Sequence, residues 1–171
     1  FLGGLSSATD AEIAVQDVTI TNTGWVGLYG QEASFGIDNL TVTDLREVDD
    51  LEAAQCETVG TNGALNLSAS TATITRSTFT DNDGYGIAAL GSDVEISDIT
   101  VARNACSGII NFNGTLSVDD SDFSEPTYSE LNASIVGYEA EATRVTNSRF
   151  VVGATTTEYA REEYDFGTSI T

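Results

Sequence analysis

Apolar residues recur along this chain at intervals of 22. Ile74 is followed 22 residues later by Ile96 and 22 later again by Val118, and Val15 and Ile37 stand the same distance apart. The interval from Ile37 to Ile74 is 37, one repeat plus an insertion of 15, and that from Val118 to Val145 is 27, one repeat plus 5. Six repeats align in this way. A fixed period of this size belongs to chains whose units cannot bury an apolar stripe alone and must stack on their neighbours.

The aligned columns have strand character. Two residues before the anchor stand Ile13, Phe35, Ala72, Val94, Leu116 and Thr143, and five after it stand Ile20, Val42, Phe79, Val101, Phe123 and Phe150. Within each repeat apolar and polar residues alternate, the pattern of a half-buried strand. A third short strand follows a glycine in Gly27-Leu28-Tyr29, Gly86-Ile87-Ala88 and Gly108-Ile109-Ile110, with weaker counterparts at Gly63-Ala64-Leu65 and Ile135-Val136. Between the first two strands stand Asp17, Asn39, Arg76, Asp98, Asp120 and Asn147. Asn and Asp tolerate the left-handed backbone better than other side chains, so this column predicts a tight corner and not a catalytic cluster. Arg76 is expected to lie one repeat from Asn39 and from Asp98, in reach of a surface ion pair.

Three short strands per 22 residues, with no helical crossover, predict an all-β coil. The pattern resembles the right-handed parallel β-helix of the pectin-lyase-like superfamily, at the level of architecture and over residues 11 to 153. The expected fold is a β-solenoid of about six 22-residue coils with two loop insertions. It forms a single domain, with an N-terminal extension or cap at 1–10, coils at 11–153 and a C-terminal cap at 154–171. The insertions fall near 46–62, where Leu45, Val48 and Leu51 suit a turn or two of helix, and near 125–132. In the cap, Thr155 with Glu158 reads as a capping box that opens a short helix through Tyr164.

Charge narrows the functional classes. The 171 residues carry 27 Asp and Glu against 6 Arg, with no Lys, His or Met, for a net charge of −21. That balance speaks against nucleic acid and anionic membrane surfaces as partners, because phosphate binding needs clustered basic residues. Without His or Lys there is no His-based triad and no Schiff-base chemistry. No apolar run is long enough for a membrane-spanning helix. An acidic, Lys-free surface keeps a protein soluble in high salt. The chain begins at Phe1 without a Met, the expected mark of a processed product or a fragment. Extracellular or cell-surface placement is the expectation.

The resemblance implies enzymes that combine Asp clusters with a basic residue, several of them dependent on Ca²⁺. The hydrolase pattern also uses His and Lys, which this chain lacks. The lyase pattern leaves Arg76, Arg103 and Arg144 as candidate bases, each needing a pKa brought far below its normal range. The expectation is therefore a protein that is not an enzyme, with an acidic-polysaccharide lyase as the enzymatic alternative. Asp81-Asn82-Asp83-Gly84 has the oxygen-rich look of a Ca²⁺ loop, with Asp81 and Asp83 as candidate ligands against the plainer reading of a turn. Cys56 and Cys106 are a candidate disulfide, or else a loop thiol and a small buried residue.

The expected role is structural or adhesive, in a subunit or segment of a larger assembly. A second expectation rests on threonine. Thr19 and Thr21, Thr41 and Thr43, Thr78 and Thr80, and Thr100 flank the apolar residue of the second strand in successive repeats. The stack resembles the Thr-x-Thr ladders of β-solenoid ice-binding proteins, which implies a face for ice or another ordered surface; carbohydrate is a further candidate partner. Open coil ends also favour self-association, with Phe1-Leu2-Gly3-Gly4-Leu5 covering the N-terminal end or docking on a second subunit.

Overall fold

The structure is a computed structural model that describes residues 11–24, 26–46, 63–124 and 134–152, and the strands at 155–159, 162–164 and 169–170. It is all-β, with no helix among these residues. Two long strands, β1 (Glu12–Thr21) and β3 (Ser34–Thr43), pair in parallel, with Val15 opposite Ile37 and Ile20 opposite Val42. From β3 the pairing divides. Its first half continues through β5 (Thr71–Thr75), β8 (Asp93–Ser97), β11 (Thr115–Asp119) and β14 (Ala142–Thr146). Its second half continues through β6 (Thr78–Thr80), β9 (Thr100–Ala102), β12 (Asp122–Ser124) and β15 (Ser148–Val152). A second sheet stacks β2 (Leu28–Gln31), β4 (Gly63–Ser68), β7 (Tyr85–Leu90), β10 (Ile109–Phe112) and β13 (Ile135–Tyr138), again in parallel.

Each anchor residue thus lies opposite its repeat-mate: Ile37 on Ile74, Ile74 on Ile96, Ile96 on Val118, and Val118 on Val145. The two sheets share one core. Phe35, Ile37, Leu40, Val42, Ile74, Phe79, Val118 and Phe123 enter it from one sheet, and Leu28, Leu65, Ile87, Ile109 and Ile135 from the other. Phe123 and Phe150 stack within it, ring centroids 4.8 Å apart and 7° from parallel.

The corner column behaves as the residue types foretold. Asp17, Asn39, Arg76, Asp98, Asp120 and Asn147 all have φ between 46° and 55°. Left-handed geometry bends the chain and still leaves the corner N–H in the ladder: Arg76 donates to Ser97 O at 3.2 Å, and Asp120 to Thr146 O at 3.3 Å. Two further left-handed columns turn the chain elsewhere in the repeat: Asn22, Asp44, Asp81 and Arg103, and then Glu32, Ala69, Gly91, Asn113 and Glu139. Gly27, Gly86 and Gly108 mark a crowded position at the start of the third strands. A Cβ on Gly86 would lie 2.6 Å from Gly108 O, and one on Gly108 2.5 Å from Ser134 O.

The C-terminal segment corrects the helix expected from Thr155 to Tyr164. The chain there forms β16 (Thr155–Tyr159) and β17 (Glu162–Tyr164), followed by β18 (Ser169–Ile170). These pair antiparallel with β15, β14 and β13. The capping-box spacing is a local preference worth about 1 kcal/mol. Here the β-branched run Thr155-Thr156-Thr157 meets the unpaired donors and acceptors of the last parallel strands, and pairing with them prevails. The helix expected near 46–62, the insertion at 125–132 and residues 1–10 lie outside the described residues, apart from Arg46, which bridges Gly24.

Candidate functional site

The threonines named above form two in-register columns. Thr19 lies opposite Thr41, Thr41 opposite Thr78, and Thr78 opposite Thr100; Thr21 lies opposite Thr43, and Thr43 opposite Thr80. The residues between them point the other way, so Val42 and Phe79 are fully buried while Thr19, Thr21 and Thr100 are exposed and the remaining four half-buried. Strand geometry separates the columns by about 6.6 Å and successive rows by about 4.8 Å. Hydroxyl and methyl groups therefore repeat in two directions on one face. The columns then change character. Ala102 follows Thr80, Asp122 follows Thr100, and Arg149 donates to Asp122 at 2.7 Å.

Two of the three candidate arginines, Arg76 and Arg103, are paired with carboxylates, while Arg144 is exposed on β14 opposite Ser117. Arg103 grips Asp81 across one repeat with Nε on Oδ1 at 2.6 Å and Nη2 on Oδ2 at 2.7 Å. That side-chain hydrogen bonding holds the Asp81 carboxyl below the usual carboxylate range, against the opposing effect of burial. Asp83 lies two residues on, its N–H donating to Leu45 O at 3.1 Å. Among the described residues no three acidic, Cys or His side chains gather as a metal-holding group. Arg76 forms its ion pair with Asp38, on the strand preceding the corner, and not with Asp98 of its own column. In the corner column itself Asn39 donates to Asp17 at 2.7 Å. Asp119 accepts from the Thr146 hydroxyl and the Asn147 amide, and both lower its pKa.

A shallow groove crosses β3, β5, β8 and β11, lined by Ser34, Thr71, Thr73, Asp93, Glu95 and Thr115. Its lining holds two carboxylates, Asp93 and Glu95, and no arginine.

Sequence reasoning missed the buried polar ladders. Asn82 accepts from Leu45 N–H at 3.2 Å and donates to Asn104 at 2.8 Å, and Asn104 donates to Phe79 O at 2.9 Å. Ser77 accepts from Leu40 N–H and donates to Thr75 O; Ser121 links Ile99 N–H to Asp119 O in the same way, and Ser148 links Ser121 N–H to Thr146 O. Ser70 and Ser92 repeat the device at another corner. Each side chain satisfies backbone groups that a corner leaves without a ladder partner. The signal was present: Asn82 and Asn104, like Ser70 and Ser92, are 22 residues apart.

Cys106 is buried and disulfide-bonded; Cys56, the other cysteine of the chain, lies outside the described residues. Near Cys106, Tyr85, Ala88, Ile110 and Val136 form a small second apolar cluster, and burial there raises the Tyr85 pKa. No family model, no curated protein and no solved structure matches the chain.

Proposed function

We propose that this chain is a right-handed parallel β-helix that acts outside the cell as a structural or adhesive element, not as an enzyme. The observation that carries the reading is the pair of threonine columns, an outward array kept in register by the same repeat that builds the core. The engagement of Arg103 by Asp81 supports it, because a guanidinium held between two carboxylate oxygens is poorly placed to act as a lyase base. A disulfide at Cys106 suits an oxidising compartment, and the net charge of −21 suits a surface that stays solvated in salt.

A periodic array can match an ordered surface, so ice and crystalline polysaccharide are the ligands to test, and ice is the second reading. Retention of the protein on crystalline cellulose, on chitin and in growing ice measures both. Replacing Thr78 at the middle of one column by Tyr should lower retention at least tenfold on whichever surface is bound, with folding unchanged by circular dichroism. Retention on none of the three, or retention indifferent to Thr78→Tyr, refutes the threonine face. Formation of unsaturated products from acidic polysaccharides that is lost on Arg103→Ala would instead establish the lyase.

A further inference from the structure

Four Asn-x-Ser/Thr triplets, the acceptor pattern for N-linked glycans, occur in the chain: Asn39-Leu40-Thr41, Asn66-Leu67-Ser68, Asn113-Gly114-Thr115 and Asn132-Ala133-Ser134. Asn132 lies outside the described residues, and the fold treats the other three asparagines differently. Asn66 is buried on β4, where a sugar has no place. Asn39 sits in the first corner column, its amide committed to Asp17 Oδ1 at 2.7 Å. Asn113 is exposed at the corner between β10 and β11. Its backbone N–H donates to Tyr138 O at 3.3 Å, and its side-chain amide has no hydrogen-bond partner among the described residues.

The corner does not demand an asparagine. Glu32, Ala69, Gly91 and Glu139 fill the same left-handed position in other repeats. Gly91, in the preceding repeat, brings no side chain against Asn113. A Cβ built on Gly91 would meet nothing nearer than Asn113 O, at 3.8 Å, beyond its own chain neighbours. Thr115 completes the triplet at the start of β11, its hydroxyl donating to Asp93 Oδ1 at 2.6 Å.

We propose that Asn113 is the acceptor of an N-linked glycan, an inference that rests on the reading that the chain acts outside the cell. Asn113 Nδ2 gives up a proton and bonds to C1 of an oligosaccharide carried on a polyprenyl-phosphate donor. The bond from C1 to the phosphate oxygen breaks, and the polyprenyl phosphate leaves with the electron pair. The threonine columns lie past the next corner, at Asp120, so glycan and threonines occupy different stretches of the repeat.

The test is to secrete the whole chain behind a signal peptide from a eukaryotic host that makes N-glycans. The folded protein is then treated with peptide-N-glycosidase in heavy-oxygen water, which converts each occupied Asn to a labelled Asp. Peptide mass mapping should find label at Asn113 in most molecules and none at Asn66. Thr115→Val should abolish the label at Asn113, whereas Thr115→Ser, which keeps the acceptor pattern, should retain it. Circular dichroism should be the same before and after removal of the glycan. An unlabelled Asn113 in the folded protein overturns the proposal, as does label at Asn66 instead, or a glycosylated form recovered only as aggregate. Because the signal peptide imposes secretion, these failures count against the site and not against the extracellular reading. Recovery of the chain inside the cells of its natural source would overturn that reading, and the proposal with it.

Discussion

The two sheets are built from one repeat and face one core, yet they treat their second faces differently. In the larger sheet, β5 and β8 alternate strictly between exposed and buried, and β11 alternates in the same phase. In the smaller, five consecutive residues of β4 and of β7 are buried, Gly63 to Leu67 and Tyr85 to Ala89. One sheet is a wall between core and water; the other lies between the core and a second apolar layer that includes Tyr85, Ala88, Cys106, Ile110 and Val136. A strand displays its period of two only where one of its faces meets solvent.

The contrast is broken most sharply by a charge placed on each outer face. Ala88→Arg puts a guanidinium where the native side chain is 1% exposed, and the expected loss is more than about 4 kcal/mol or failure to fold. Thr73→Arg, on the outward side of β5 and opposite Glu95, should stay within about 0.5 kcal/mol of the parent in urea unfolding. Equal losses would mean that the second layer does not seal the smaller sheet.

Buried amides give the next effect. Asn82→Leu strands the Leu45 N–H and the Asn104 carbonyl oxygen and should cost about 2–3 kcal/mol. The Asn66 amide, 2% exposed on the smaller sheet, has no hydrogen-bond partner at either atom. Asn66→Leu should therefore be neutral or stabilising by the same unfolding assay.

Glycines come third. Gly86→Ala pushes a methyl group against Gly108 O in the smaller sheet and should lose about 1–3 kcal/mol. Gly36 on β3 has nothing within 4 Å of a new Cβ, and Gly36→Ala should gain a few tenths of a kcal/mol, roughly 0.5, by restricting the unfolded chain. Thermal midpoints of the two variants should move in opposite directions.

The smallest effect is electrostatic. The Asp81 carboxyl titrates below its ordinary 3.8 in the folded protein because Arg103 donates to it. Its contribution is complete above that ordinary value and is lost as pH falls through the lowered folded-state value. The pair is substantially exposed, so Arg103→Ala should cost no more than about 0.5–1 kcal/mol at neutral pH. The difference between parent and variant should shrink on acidification as Asp81 is protonated; a difference independent of pH would show that Arg103 acts through packing.

Legibility follows the same division. The strands of the larger sheet, their register and the first corner column were readable because alternation and Asn or Asp at the bend are local signals. The threonine columns were readable because they share that register. The other left-handed columns were hidden by their residue types, since Ala69, Glu32 and Arg103 do not advertise positive φ. The smaller sheet was visible only through its glycines, because Ala-Leu and Ile-Val steps buried on both sides carry no period. The reversal at Thr155 could not be read at all: the residues suited a helix start, and the deciding partners, β14 and β15, are supplied by the tertiary structure.

The three reversed strands also set where this molecule can change its copy number. A tandem duplication of residues 93–114 carries one β8, one β9 and one β10, and so inserts one new member into each parallel stack without disturbing a corner. Lengthening by whole 22-residue units should therefore be tolerated where neighbouring strands run parallel. A repeat appended after Val152 would first have to displace β16, β17 and β18, which run the opposite way. New repeats are thus expected to be accommodated within the parallel stacks and not after β15.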